Sequence, residues 1–273
     1  GPVKSGTTLL ISLLDSHLEL LLFPIEVKFF THWVERLAVD TVRYQDLNQF
    51  FLKKSKIKLM DPMEANTADI MNSGRINFSG FNYGEFEKIM EANAQCPENS
   101  RLMGQGLFQK YLLDIHDSLN QLSGRGKART IVSKEGNHGG KYISTICSIF
   151  PQTKFIVVVR DPRDIFVSFK AIATKKLEGV RSPTFKTSVS PCRFIHDNKG
   201  KNISAYDKIA ANHSKDPNFC FVRYDDLARE TSMEMKRVAA FLDVEFTDNL
   251  LVPTNLGNPW GGNASSMVGF NGV

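Results

Sequence analysis

The sequence has no pair of closely spaced cysteines, no long basic run and no long apolar segment. Its four cysteines are widely separated and include no C-x-x-C pair, so neither a cysteine-rich zinc site nor a disulfide scaffold is expected. No cluster of basic residues resembles a DNA-binding arm, which argues against a nucleic-acid partner. The longest apolar runs, such as residues 18–24 with Glu19 inside, are too short to span a membrane.

The bulk composition is that of an ordinary globular protein. The chain has 273 residues, of which 42% are hydrophobic and 23% are charged, which is enough for one sizeable core. The formal net charge of +5 is mild. It suits an anionic ligand without requiring nucleic acid.

The stretch Phe155–Ser168 combines a strand, a charged turn and a helix. Its first five residues are apolar and lack helical spacing, which predicts a strand buried on both faces of a parallel sheet. Pro162 suits the first position of the helix, with Asp161 as its cap. Because ligands of open α/β sheets bind beyond the carboxyl ends of the strands, Arg160 and Ser168 are predicted to bind an anion. The alternative is a salt-bridged loop, since Arg and Asp alternate in the turn.

The first eight residues, Gly-Pro-Val-Lys-Ser-Gly-Thr-Thr, lead into an apolar helix. Backbone N–H groups converge at such a helix N-terminus and the helix dipole favours negative charge, so this loop is also predicted to bind an anion. The spacing nearly matches the P-loop pattern G-x-x-x-x-G-K-[ST], but Thr7 replaces the lysine and Lys4 lies inside the loop. A nucleotide kinase would then lack its cation on the phosphates. The alternative is an ordinary helix capped by Ser5 or Thr7.

The rest of the chain is interpreted as part of one domain spanning residues 1–273. Residues 34–130 are mostly helical by pattern, residues 175–201 are predicted to form a polar, proline-containing loop, and residues 257–266 a glycine- and serine-rich loop. Further strands are predicted at residues 20–23, 130–133 and 219–224. A strand is expected before the first loop and no element closes the chain after the last one, so the sequence is interpreted as truncated at both ends.

Four segments together resemble the sulfotransferases that depend on 3′-phosphoadenosine 5′-phosphosulfate (PAPS). Pro2–Leu9 resembles their 5′-phosphosulfate-binding loop, and Val159–Ser168 resembles their 3′-phosphate-binding motif. Val222–Leu227, followed by a helix, resembles the family segment that comes next. Pro259–Ser266 resembles the late loop of the Golgi-type and bacterial branches. The segments occur in the family's order and cover most of the chain, whereas residues 34–130 carry no recognisable match.

The resemblance implies a three-layer α/β/α fold with a central parallel sheet, similar to that of P-loop NTPases. It also implies that PAPS is the co-substrate, that 3′,5′-ADP is the product, and that the nucleotide is bound by Lys4, Ser5, Gly6, Thr7, Thr8, Arg160, Ser168, Tyr224, Asn263, Ser265 and Ser266. Arg160 can bind the 3′-phosphate bidentately. The sulfuryl group carries less negative charge than a phosphoryl group. No metal ion is therefore required if lysines meet the charge on the bridging oxygen, and Lys4 and Lys134 resemble the residues for that role.

An acceptor hydroxyl or amine also needs a base. Glu26, at the end of the second strand, resembles the acidic residue used by the tyrosylprotein and glycan branches of the family. Glu135, His138 and His17 are alternatives, although His17 at a helix end is better explained as a structural histidine. Related sequences often carry Lys-Thr-Pro or Lys-Ser-Pro where this chain has the Lys-Glu-Gly tripeptide that begins with Lys134. Glu135 could therefore contribute to catalysis.

Two other functions remain open at the level of the sequence: a P-loop nucleotide kinase, and a non-catalytic relative that keeps the nucleotide fold for binding. The missing Gly-Lys-Thr lysine and the pair Arg160 and Ser168 argue against the kinase. The acceptor could be a glycan, a lipid, a small alcohol or phenol, or a peptide tyrosine, and residues 34–130 are expected to shape its pocket. The compartment also stays open: cytoplasm for a bacterial protein, or Golgi lumen for a eukaryotic one with a missing N-terminal anchor.

Overall fold

The computed structural model describes residues 2, 4–23, 42–60, 82–123, 128–135, 139–177 and 198–260. Within these ranges, helices α1 to α9 span Thr7–Leu14, Tyr44–Met60, Tyr83–Gln95, Gly104–Ser123, Ile143–Ile149, Pro162–Leu177, Asn198–His213, Tyr224–Arg229 and Thr231–Leu242. Strands β1 to β6 span Leu20–Leu22, Thr130–Val132, Phe155–Val159, Phe219–Arg223, Thr254–Asn255 and Asn258–Pro259. Short 3₁₀ helices lie at Asn99–Arg101, Gly139–Tyr142 and Asp248–Leu251. None of these helices has the length and apolar content to cross a bilayer.

Four of the described strands form two parallel pairs. β1 pairs with β2, with Leu20 opposite Thr130, and β3 pairs with β4, with Phe155 opposite Phe219. Parallel neighbours need a long crossover connection, and in each pair the chain passes through helices before it returns. This pattern confirms the predicted α/β fold built on parallel strands.

Helices cover both faces of these strands. Successive side chains of a strand point to opposite faces, so alternate residues enter different clusters. One face packs with α1, α8 and α9, and we call this cluster the strand–helix core; its strand residues include Leu20, Leu22, Ile156, Val158, Cys220 and Val222. On the other face, Val157 packs with Tyr206 and Ile209 of α7. The strands therefore form the middle layer of three.

A second cluster, which we call the helical core, joins α2, α3, α4 and α5. It is rich in aromatic rings, contributed by Phe23, Tyr44, Phe51, Tyr83, Phe86, Phe108 and Tyr111. The rings of Tyr44 and Tyr111 meet edge to face with centroids 5.0 Å apart, an arrangement that aromatic pairs favour. Leu21 of β1 belongs to this cluster, while its neighbours in the strand belong to the strand–helix core. The first strand therefore connects the two cores.

Three of the predicted segments have boundaries that differ from those in the structure. α6 continues to Leu177 and α7 begins at Asn198, so both helices extend into residues 175–201, which were predicted as a loop. Lysine and leucine favour helix, so polarity alone did not end α6. Tyr224, predicted as the end of a strand, is the first residue of α8. The predicted tail loop begins inside an antiparallel hairpin of β5 and β6, with Gly257 at its turn at φ 77°.

Candidate functional site

The loop before α1 contains two residues with left-handed backbone conformation. Lys4 has φ 64° and Gly6 has φ 98°, and the first value is uncommon for a residue other than glycine. Ser5 is fully buried and closes the turn, because its amide and its hydroxyl donate to the Pro2 carbonyl at 3.2 and 2.7 Å. Gly6 provides no side-chain cap for α1. The amides at the start of this helix can therefore serve an anionic ligand.

Arg160 reaches this loop from the end of β3. Its Nη1 donates to the Lys4 carbonyl at 3.0 Å, and its guanidinium carbon lies 4.1 Å from the centroid of the Tyr224 ring. Its Nε is buried and has no hydrogen-bond partner among the described residues. Leaving a charged donor buried and unpaired is costly. This geometry favours an anionic ligand beside Arg160.

In the turn after β3, the carboxylate of Asp161 is bound by Arg163. Arg163 Nε lies 3.0 Å from each carboxylate oxygen of Asp161, and the Arg163 amide donates to the same carboxylate at 2.8 Å. These hydrogen bonds lower the pKa of Asp161 to about 2. Asp161 thus caps α6 as predicted. The salt bridge that was the alternative interpretation of this turn is formed by Arg163. Arg160 instead contacts the loop before α1.

The Tyr224 ring packs directly against Gly6. A Cβ atom added to Gly6 would lie 2.2 Å from Cδ2 and 2.8 Å from Cε2 of the ring, and both distances are too short for a Cβ contact. Glycine is therefore required here both by the positive φ and by the close approach of the ring. Tyr224 contacts the loop and Arg160 at the same time.

Lys134 adds a second cation at the start of α1. It follows β2, and its Nζ donates to the Thr8 hydroxyl at 2.8 Å. Thr8 is the second residue of α1, one position after Thr7. The structure therefore brings the predicted residues of the first loop, Arg160, Tyr224 and Lys134 together from four separate segments of the chain.

The remaining predicted site residues lie on α6, after β2 or outside the described residues. Ser168 is half-buried at the end of the second turn of α6. Glu135 is half-buried directly after Lys134, and its Oε2 atom is buried. Five more lie outside the described residues: Glu26, His138, Asn263, Ser265 and Ser266.

His17 has a structural role. The Glu19 amide donates to its Nδ1 at 3.2 Å, so Nε2 carries the proton and donates to the Glu245 carbonyl at 2.8 Å. The side chain is buried with both ring nitrogens occupied. This arrangement argues against His17 as the base.

Asp15 is a buried carboxylate at the opposite end of α1 from the site, and the sequence analysis did not single it out. Its Oδ2 accepts from the Thr254 hydroxyl and from the Gly257 amide, both at 2.8 Å. It fastens the end of α1 to the β5–β6 hairpin, which leads into the predicted late loop. A lone aspartate at the end of a leucine-rich helix is the signal that could have revealed it.

Comparison of the sequence with family profiles identifies one match. The profile described as "Sulfotransferase family" covers residues 1–248. Comparison with curated protein sequences finds no significant match.

Comparison with solved structures identifies related folds. The chain is similar to the sulfotransferase domain from the curacin biosynthetic pathway, with 20% identity, a TM-score of 0.54, and 98% of this chain and 81% of that chain covered. It is also similar to sulfotransferase STF9 from Mycobacterium avium, with 14% identity, a TM-score of 0.45, and coverage of 92% and 64%. The curacin-pathway structure supports the fold, and the profile extends over nearly the whole sequence. This chain therefore belongs to the sulfotransferase family.

Proposed function

We propose that this protein transfers the sulfuryl group of PAPS to a hydroxyl or amine of an acceptor. The observation that carries the proposal is the buried Nε of Arg160, which has no partner among the described residues and belongs to a side chain hydrogen-bonded to Lys4. PAPS differs from ordinary nucleotides by its 3′-phosphate. A ligand with anions at both its 3′ and 5′ positions needs two adjoining anion subsites.

The residues of the site fit these two anions. The loop before α1, with its two left-handed residues and uncapped helix start, suits the 5′-phosphosulfate. Arg160 suits the 3′-phosphate, because a guanidinium can donate two parallel hydrogen bonds to one phosphate. Ser168 on α6 is proposed to donate a further one. The late loop with Asn263, Ser265 and Ser266 is proposed to complete nucleotide binding.

The proposed reaction is a single in-line displacement. The acceptor oxygen or nitrogen forms a bond to sulfur while the bond from sulfur to the bridging phosphate oxygen breaks, and 3′,5′-ADP leaves. Negative charge grows on the bridging oxygen, where Lys4 and Lys134 supply positive charge. The hydrogen bond from Lys134 to Thr8 holds this lysine at the start of α1 before the reaction begins. A charge positioned in advance stabilises the transition state without reorganisation.

The acceptor proton passes to a base, for which Glu26 is our first choice. Replacing the base with glutamine keeps size and hydrogen bonding but prevents proton transfer, and general-base catalysis typically contributes about 10²–10⁴-fold. Single-turnover rates of Glu26→Gln, Glu135→Gln and His138→Gln should therefore differ sharply. A large loss in Glu135→Gln alone would assign the role to the carboxylate beside Lys134 instead.

Mass spectrometry of reaction products tests the proposal as a whole. The protein is incubated with PAPS and a panel of phenols, alcohols, glycans, lipids and tyrosine peptides, with parallel reactions that contain ATP. We expect one acceptor class to gain an SO₃ group with stoichiometric release of 3′,5′-ADP, and no phosphorylated product. Phosphoryl transfer from ATP would overturn the proposal in favour of a kinase. Tight binding of 3′,5′-ADP without turnover on any acceptor would favour a non-catalytic relative.

A further inference from the structure

Tyr224 contacts both proposed anion subsites at once. Its ring leaves no space for a side chain at Gly6 in the loop before α1, and its face lies 4.1 Å from the guanidinium carbon of Arg160. The residue opens α8 directly after β4 and packs against the strand–helix core. The ring is therefore held by the core on one side and presents a fixed surface to the loop on the other.

Arg160 extends this contact to a third residue. Its Nη1 donates to the Lys4 carbonyl, so the orientation of that peptide group depends on the guanidinium. Lys4 has a positive φ, a conformation that a residue with a Cβ persists in only when its surroundings hold it. Tyr224, Arg160 and Lys4 thus form one continuous chain of contacts, and Gly6 packs against its first member.

We propose that Tyr224 is a positioning residue whose ring joins the two anion subsites into one unit. The ring fixes Gly6 and the guanidinium of Arg160, and Arg160 fixes the peptide of Lys4, so the cation at the sulfuryl group is aligned through the 3′-phosphate subsite. This inference rests on the proposed function for the identity of the two anions. It assigns the positioning role to the ring of Tyr224 and leaves its hydroxyl for the nucleotide.

The assignment predicts how two substitutions differ. Tyr224→Phe keeps the ring and should keep hydrogen exchange of the loop before α1 at the level of the wild type. Tyr224→Leu removes the ring and should lower kcat/KM on the order of 10- to 100-fold, since small misplacements of catalytic groups have effects of that size. The Tyr224→Leu and Arg160→Ala effects should also combine less than additively, because both act through the same contacts.

Phe246→Leu is the matched control. Phe246 is a half-buried ring against the same core that also lies under a cation, 5.3 Å from Lys236 Nζ, but it does not belong to the loop contacts. Its loss should change thermal stability without changing kcat/KM. If Tyr224→Leu does not fold, Tyr224→Met preserves more apolar volume and serves in its place.

Hydrogen exchange of the ligand-free protein provides a second readout that does not depend on turnover. Amides of residues 4–10 should exchange faster in Tyr224→Leu than in the wild type, and remain unchanged in Tyr224→Phe and Phe246→Leu. If the wild type transfers no sulfuryl group, the proposed function fails while this measurement still decides the positioning role. Unchanged exchange and turnover in Tyr224→Leu would overturn the inference. Equally faster exchange of residues 4–10 in Tyr224→Phe and Tyr224→Leu would overturn it too, because the hydroxyl would then hold the loop.

Discussion

The helical core and the site at the strand ends differ in how their buried polar groups are hydrogen-bonded. In the helical core, buried hydroxyls bond within the protein: Tyr44 donates to Asp114 and Tyr83 donates to the Leu52 carbonyl, both at 2.8 Å. At the strand ends, positively charged side chains from distant segments meet around one loop. Arg160 keeps a buried donor that no described residue satisfies. The hydrogen-bonded tyrosines therefore serve packing, whereas the charged donor of Arg160, which lies beside an uncapped helix start, is best explained by a ligand.

The pKa values of two buried tyrosines in the helical core agree with this description. Burial raises the pKa of Tyr83 to about 12 and that of Tyr44 well above its ordinary value, and for Tyr44 the hydrogen bond to Asp114 adds to the effect. Both hydroxyls therefore remain donors throughout the range in which the protein folds. They act as fixed links between helices and not as acids or bases.

His116 on α4 is an exception within the helical region. It is buried, and neither ring nitrogen has a hydrogen-bond partner among the described residues. Burial lowers its pKa to about 3, so the ring is neutral at ordinary pH. This residue should make the helical region sensitive to acid.

The largest effect is expected at Lys4. Lys4→Ala should lower the single-turnover rate by about 10²–10³-fold, as loss of one transition-state donor does, and should weaken 3′,5′-ADP binding by a smaller factor. Lys154→Ala is the matched control, because Lys154 precedes the opposite end of β3 and donates to the Phe241 carbonyl. An unchanged rate in Lys4→Ala would show that this lysine does not act on the sulfuryl group.

Lys134 should show a smaller effect of the same kind. Lys134→Met should lower the single-turnover rate by about 10- to 100-fold, because the charge is lost but Lys4 remains. Thr8→Val keeps the charge of Lys134 but removes the hydroxyl that accepts its hydrogen bond at 2.8 Å. It should lower the single-turnover rate by less than Lys134→Met does. If Thr8→Val lowered the rate more than Lys134→Met, the hydroxyl would matter through the ligand and not through the lysine.

Substitutions in the helical core should change stability and leave catalysis intact. Tyr44→Phe deprives the buried Asp114 of a donor and should lower the free energy of unfolding by about 1–3 kcal/mol, measured by urea titration. Tyr142→Phe, a half-buried tyrosine at the edge of the same core, serves as the control. The rate at saturating substrates should be unchanged in both. A large fall in rate for Tyr44→Phe would break the separation between the two regions.

His116 should produce the smallest effect, visible only through pH. Its pKa in the folded state lies below the value of about 6.5 in the unfolded state, so the unfolded chain binds the proton first and stability is lost as pH falls from about 6.5 towards 3. Between pH 7 and pH 5.5 the loss should be about 1 kcal/mol. His116→Leu should remove this part of the pH dependence in urea titrations. An identical pH dependence in the variant would show that folding does not lower the pKa of His116.

Local patterns were enough to predict much of the fold and part of the site. The continuous apolar run of β3, the glycine spacing of the first loop and the position of Pro162 at the start of α6 depend on neighbours in sequence, so they could be identified from the residues alone. The hydrogen bonds from Arg160 to Lys4 and from Lys134 to Thr8 could not, because they join residues 156 and 126 positions apart. Such contacts depend on strand order and helix packing.

The ring contact between Tyr224 and Gly6 was also beyond the sequence. The positive φ of a glycine is a local feature, but which side chain packs against that glycine depends on how β4 lies beside β3. The limits of α6 and α7 were missed for a related reason, since polar residues that favour helix give no local signal that a helix should end.

The role of Arg160 is tested most directly by the affinity of the wild type for 3′,5′-ADP compared with 5′-AMP, measured by calorimetry beside the Arg160→Ala variant. We expect the wild type to bind 3′,5′-ADP much more tightly than 5′-AMP, and Arg160→Ala to weaken 3′,5′-ADP binding by about 2 kcal/mol, or roughly 30-fold, with little change for 5′-AMP. Equal affinities of the wild type for the two nucleotides would contradict the assignment of Arg160 to the 3′-phosphate.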